Sequence, residues 1–107
     1  MIKVEEYITE DGRSPFARWF SDLDAQAAAK INTYLTRLTQ GNISSLKPVK
    51  GSLQEMVINW GPGYRIYVGK DGEKLIILLG GGTKKRQQND IRTAAEFWEE
   101  YKIRKKG

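Results

Sequence analysis

The longest unbroken apolar run in the chain, Leu75-Ile76-Ile77-Leu78-Leu79, passes directly into Gly80-Gly81-Gly82-Thr83-Lys84-Lys85-Arg86. Five consecutive bulky aliphatics bounded by turn residues, with no alternation, predict a strand covered on both faces. Asp71-Gly72 just upstream is the strongest short hairpin signal in the chain, so the strand should have an antiparallel partner in Tyr64-Arg65-Ile66-Tyr67-Val68. Gly80 to Gly82 then read as its end.

The remaining pattern supplies the other elements. Ile2 to Ile8 suits a first strand, closed by the Asp11-Gly12 turn. Ser14-Pro15 is an N-cap followed by proline at the first helical position, and Phe16, Trp19, Phe20 and Leu23 follow at helical spacing. Asp24 caps a second helix from Ala25 to Gln40, with Ala28, Ile31, Leu35 and Leu38 as its stripe and Gly41 as its stop. These two helices should form a hairpin. From Asn42 to Gln54 the pattern dissolves and predicts a long loop carrying Lys47 and Lys50. Glu55 to Trp60 alternates as a strand and turns at Gly61-Pro62-Gly63, and a last helix places Ile91, Ala94, Ala95, Trp98 and Tyr101 on one side, followed by a basic tail from Lys102 to Lys106. The expected fold is α+β in the order β-α-α-β-β-β-α, a mostly antiparallel sheet with the helices packed on one face. With 107 residues the chain should be a single domain.

The chain has no Cys and no His, which removes disulfides, thiolate nucleophiles, imidazole acid/base catalysis and zinc sites built from those ligands. Any chemistry falls to Lys, Arg, Tyr, Ser/Thr and carboxylates. No window approaches the ~20 apolar residues of a membrane span, and Met1 to Glu6 lacks a secretory apolar region, so a cytoplasmic protein with no membrane partner is expected. Charge is segregated: residues 1 to 24 hold three Lys and Arg against six Asp and Glu, while the rest hold fifteen against seven. A basic region of that size fits either a polyanionic partner or a solvated surface.

Position narrows this choice. Lys84, Lys85 and Arg86 stand at a helix N-terminus, where the helix dipole disfavours cations by roughly 0.3–1 kcal/mol each. With the glycines allowing close backbone approach, the stretch reads as a phosphate site, the alternative being a glycine turn followed by solvated lysines. Arg65 and Tyr67 share one strand face, where a guanidinium can grip a phosphate and a ring can stack on a base; alternatively Arg65 pairs with Glu55 or Glu73. Lys47 or Lys50, crowded by other cations, can act as a base or remain solvated.

Gly61-Pro62-Gly63-Tyr64-Arg65-Ile66-Tyr67, then Leu78-Leu79-Gly80-Gly81-Gly82-Thr83-Lys84, then Gln87 and Asp90-Ile91, together resemble the RelE/ParE superfamily. Within it they resemble the HigB-like "addiction module killer" branch of type II toxins, and the likeness in element order covers nearly the whole chain. The resemblance implies a RelE-like fold and a cytoplasmic toxin that binds the ribosome and cuts mRNA. Its partner would be a cognate antitoxin of helix-turn-helix DNA-binding type. Cleavage would proceed by attack of the RNA 2′-OH on the adjacent phosphate, without cofactor or metal. Carried onto this chain, Arg65 stabilises transition-state charge, Lys84 or Lys85 is the basic residue after the last strand, Lys47 and Lys50 are the loop lysines, and Tyr101 stands for a C-terminal tyrosine. Lys85, Arg86 and Tyr67 would contact RNA. ParE-type members of the same superfamily inhibit DNA gyrase instead, and a non-catalytic RNA- or protein-binding module is a third class; fold alone does not separate them.

Overall fold

The computed structural model describes all 107 residues, Met1 to Gly107. In chain order the elements are β1 (Lys3–Glu6), α1 (Pro15–Ser21), α2 (Ala25–Thr39), β2 (Leu46–Lys50), β3 (Leu53–Ile58), β4 (Tyr64–Lys70), β5 (Leu75–Thr83), a 3₁₀ turn (Lys84–Arg86) and α3 (Gln87–Lys106). The class is α+β. The five strands form one mixed sheet in the order β1-β5-β4-β3-β2; β1 runs parallel to β5, and the other neighbours are antiparallel. No helix is long and apolar enough to cross a membrane.

The unbroken apolar run does what its composition requires. Ile76 and Leu78 pack with Phe16, Ala27, Ile31 and Leu38 on one side of the sheet, while Ile77 and Leu79 pack with Ala94 and Trp98 on the other. Helices α1 and α2 therefore cover one face and α3 the opposite face, which corrects the expectation of helices on one face. A central strand that is apolar on both sides needs two layers over it.

A second correction concerns residues 42 to 54. Leu46 to Lys50 is an edge strand, paired through Leu46↔Met56, Lys47↔Glu55 and Pro48↔Gln54. Only Leu46 and Val49 anchor it, one to each hydrophobic cluster, and Pro48 breaks the alternation that would have revealed it. Proline is compatible with this strand because an edge position leaves one side of the backbone unpaired. The expected order gains one strand accordingly.

Helix starts follow the sequence closely. The Ser14 hydroxyl accepts from the Ala17 N–H at 3.0 Å and the Asp24 carboxylate from the Ala27 N–H at 2.8 Å. The basic tail is helical, its cations lying in the last turn of α3, where the dipole favours them.

The glycines lie inside β5 and do not end it. The β4–β5 register passes from Val68↔Leu78 to Tyr67↔Gly80, leaving Leu79 as an extra residue in a bulge. The bulge reverses the alternation. A side chain at Gly81 would enter the Trp19 ring of α1, and one at Gly82 would enter the Asp90 carboxylate of α3. On β4, Gly69 meets the Trp98 ring in the same way, and that indole is fixed by donating to the Ser52 hydroxyl at 2.9 Å. Gly69→Ala should therefore lower unfolding free energy by about 1–3 kcal/mol in a urea titration through overpacking.

Candidate functional site

Strand register brings the site together. Lys47 pairs with Glu55, Glu55 with Tyr67, and Val57 with Arg65. Directly opposed residues share a face, so Lys47, Glu55, Arg65 and Tyr67 all lie on the side that α3 covers. The first turn of α3 reaches over them: Gln87 Nε2 donates to Glu55 Oε2 at 3.3 Å, and Arg65 Nη1 donates to Glu55 Oε1 at 3.0 Å. Glu55 is the one buried charged residue in the chain. The Arg65 and Glu55 side chains are only 14% and 10% exposed, so the structure selects the ion-paired alternative for Arg65.

The cations gather at one end of this face. Lys84, Lys85 and Arg86 are exposed on the 3₁₀ turn, and the Lys84 N–H donates to the Gly63 carbonyl at 3.0 Å, pinning the turn to the β3–β4 hairpin. Arg65 pairs with Gly82, two residues before Lys84. Lys47, also exposed, stands across from Glu55. Its neighbour across the ladder is a carboxylate, so it is not a lysine crowded only by cations.

Other expected members are placed elsewhere. Lys50 pairs with Leu53, which is level with Gly69; four residues along β4 from Arg65 is ~13 Å of strand, so Lys50 is not brought to the arginine. Tyr67 is 1% exposed, a burial that leaves no ring face for a base and corrects its assignment as an RNA platform. The Tyr101 hydroxyl donates to Asp71 at 2.6 Å beside the β4–β5 turn, away from Arg65. Of the β5 glycines, all laddered to β4, Gly81 is packed against Trp19 and Gly82 against Asp90. Close side-chain approach accounts for Gly81 and Gly82, and the expected anion site rests on the cations alone.

Sequence reasoning missed Gln87 and Asp90 as site members and gave Glu55 only as a possible salt-bridge partner. Once the β3–β4 register is known, the alternation places Glu55 with Arg65. Asp90 sits in the first turn of α3 with its carboxylate against Gly82, and its Oδ2 has no hydrogen-bond partner. Burial pushes its pKa up, opposed by the charge of Arg86. The Tyr67 hydroxyl is likewise buried without a partner, and the residue is among those that line a small pocket of about 110 Å³, with Asp90, Thr93 and Gly80. Its pKa is pushed up to about 12, first by burial and then by the charges of Asp90 and Glu55, with Arg65 acting in the opposite sense.

Chemically, exposed cations border a protected carboxylate–guanidinium pair. Such an arrangement binds anions at the rim and holds a proton acceptor beside a fixed positive charge.

Raising the Tyr67 pKa above the ordinary tyrosine value near 10 means that the folded state resists ionisation. The associated stability is complete below pH ~10 and lost as pH climbs towards 12. Tyr67→Phe removes both the titration and an unpaired buried hydroxyl. It should leave stability at pH 7 unchanged or higher and flatten its fall above pH 10, as read by thermal melts across that range.

No protein-family model matches the sequence. Over 80 residues the chain is 41% identical to an uncharacterized protein of Haemophilus influenzae, an alignment that covers 74% of this chain and 81% of the other. With that identity across most of both chains, this protein belongs to the same family as the H. influenzae protein.

Proposed function

We propose that this chain is a RelE/ParE-like toxin acting as a metal-independent, ribosome-dependent mRNA endonuclease, neutralised by a cognate antitoxin. The observation that carries the reading is the position of the Glu55–Arg65 pair beside the cationic turn Lys84–Arg86. Four antiparallel strands closed by a parallel β1, with α1 and α2 on one face, support a RelE-like fold.

Each step of the chemistry has a candidate group here. The RNA 2′ oxygen bonds to the adjacent phosphorus while Glu55 takes its proton. Charge grows on the phosphoryl oxygens, and Arg65 turns from Glu55 towards them as Glu55 is neutralised. The bond to the 5′ oxygen breaks, leaving a cyclic phosphate and a 5′ hydroxyl whose proton comes from Lys47. Lys84 and Lys85 hold the phosphates on either side.

A second reading, gyrase inhibition, is favoured by one feature: Arg65 is already neutralised by Glu55 and little exposed. Inducing the protein in bacteria and mapping mRNA 5′ ends separates the two. Codon-phased cuts inside translated regions are expected, absent with Arg65→Ala and reduced at least tenfold with the exposed double variant Lys84→Ala/Lys85→Ala. Growth arrest with uncut mRNA and DNA-damage signalling would transfer the assignment to gyrase.

A further inference from the structure

With Tyr67 buried, the site has cations for phosphates and no ring for bases. We propose that Trp60, at the β3–β4 hairpin, is the base-stacking platform for single-stranded RNA entering the cationic turn; this rests on the RNA-cleaving reading above.

Trp60 is half-buried and is the outer member of an aromatic ladder. Its ring stacks on Tyr64, with centroids 6.3 Å apart and planes at 24°. Tyr64 in turn meets Trp19 edge-on at 6.1 Å. Tyr64 is 8% exposed, so the inner rungs belong to the core and hold the outer ring in a fixed orientation. A rigid, partly exposed indole offers stacking area with little conformational entropy left to lose.

Backbone hydrogen bonds tie the hairpin that carries this ring, which packs on the side of the sheet that α1 and α2 cover, to the cationic turn at the end of the sheet. The Trp60 carbonyl accepts the Gly63 N–H at 3.0 Å, and the Gly63 carbonyl accepts the Lys84 N–H at 3.0 Å. Gly61 and Gly63 have φ of +58° and +81°, left-handed values that glycine adopts without strain and that fold the hairpin back onto the turn. Trp60 and Lys84 are thus linked through a single residue. Exposed Asn59 beside them carries an amide that can donate and accept at a base edge. An RNA strand that crosses the end of the sheet can place phosphates on Lys84 and Lys85 and lay the next base on Trp60, on the α1 side, the combination of charge and stacking by which proteins hold single strands.

The test is fluorescence anisotropy with two labelled probes, a single-stranded RNA oligonucleotide and an abasic ribose-phosphate oligomer of equal length. Trp60→Leu, which keeps an apolar side chain at the hairpin, should bind the RNA roughly 5- to 150-fold more weakly and the abasic oligomer as wild type does. Trp60→Phe should retain most of the RNA affinity. Wild-type binding of RNA together with undiminished binding by Trp60→Leu would overturn the platform alone. Equal weakening towards both probes would also overturn it, showing that the ring only positions the hairpin. A wild-type protein that binds neither probe would overturn the platform, while the ribosome-dependent cleavage is decided separately by the mapping of mRNA 5′ ends.

Discussion

Burial of β5 on both faces is the constraint from which the rest of the molecule follows. A strand with Ile76 and Leu78 on one side and Ile77 and Leu79 on the other cannot sit at an edge or leave a face to water. It needs a neighbour on each side, which β1 and β4 supply, and a layer over each face, which α1 with α2 and α3 supply. The site inherits its position from that arrangement. α3 must return across the sheet after β5, so the residues at its start are carried over the ends of β3 and β4, where Glu55 and Arg65 stand.

The Glu55–Arg65 pair sets the electrostatic character of the site. A charge pair this protected is held by mutual attraction against the cost of leaving water, and removing one partner leaves the other uncompensated. Any anion approaching Arg65 competes with a carboxylate already in place. The exposed cations on the 3₁₀ turn and Lys47 have no such competitor among the salt bridges of the structure and are the first charges that a polyanion meets. In the proposed function, capture at the rim and chemistry at the pair therefore fall to different residues.

Local signals and the β4–β5 hairpin were legible, and pairings between distant segments were not. Ser14 and Asp24 act as the caps their types predict, Gly41 ends α2 with φ of +93°, and Asp71-Gly72 turns the hairpin into β5. Each depends on a few neighbouring residues. The side of the sheet on which α3 packs, the parallel pairing of β1 with β5 and the edge strand around Pro48 depend on contacts between distant segments. The same divide runs through the site. Arg65 and the post-strand cations stand out by type and place, whereas the roles of Glu55, Gln87 and Asp90 appear only through register, and Tyr67 looked available because its cover comes from residues far along the chain.

The bulge at Leu79–Gly80 works as a phase shifter. Before it, β5 alternates in step with the two hydrophobic clusters; after it, the alternation is inverted, so that Gly81 turns to α1 and Gly82 to α3. One strand therefore serves two programmes, a packing segment and a delivery segment, whose facings are set independently. The extra residue lets the chain leave the sheet on the α3 side with Lys84 beside Gly63, without changing which aliphatic side chains fill the interior.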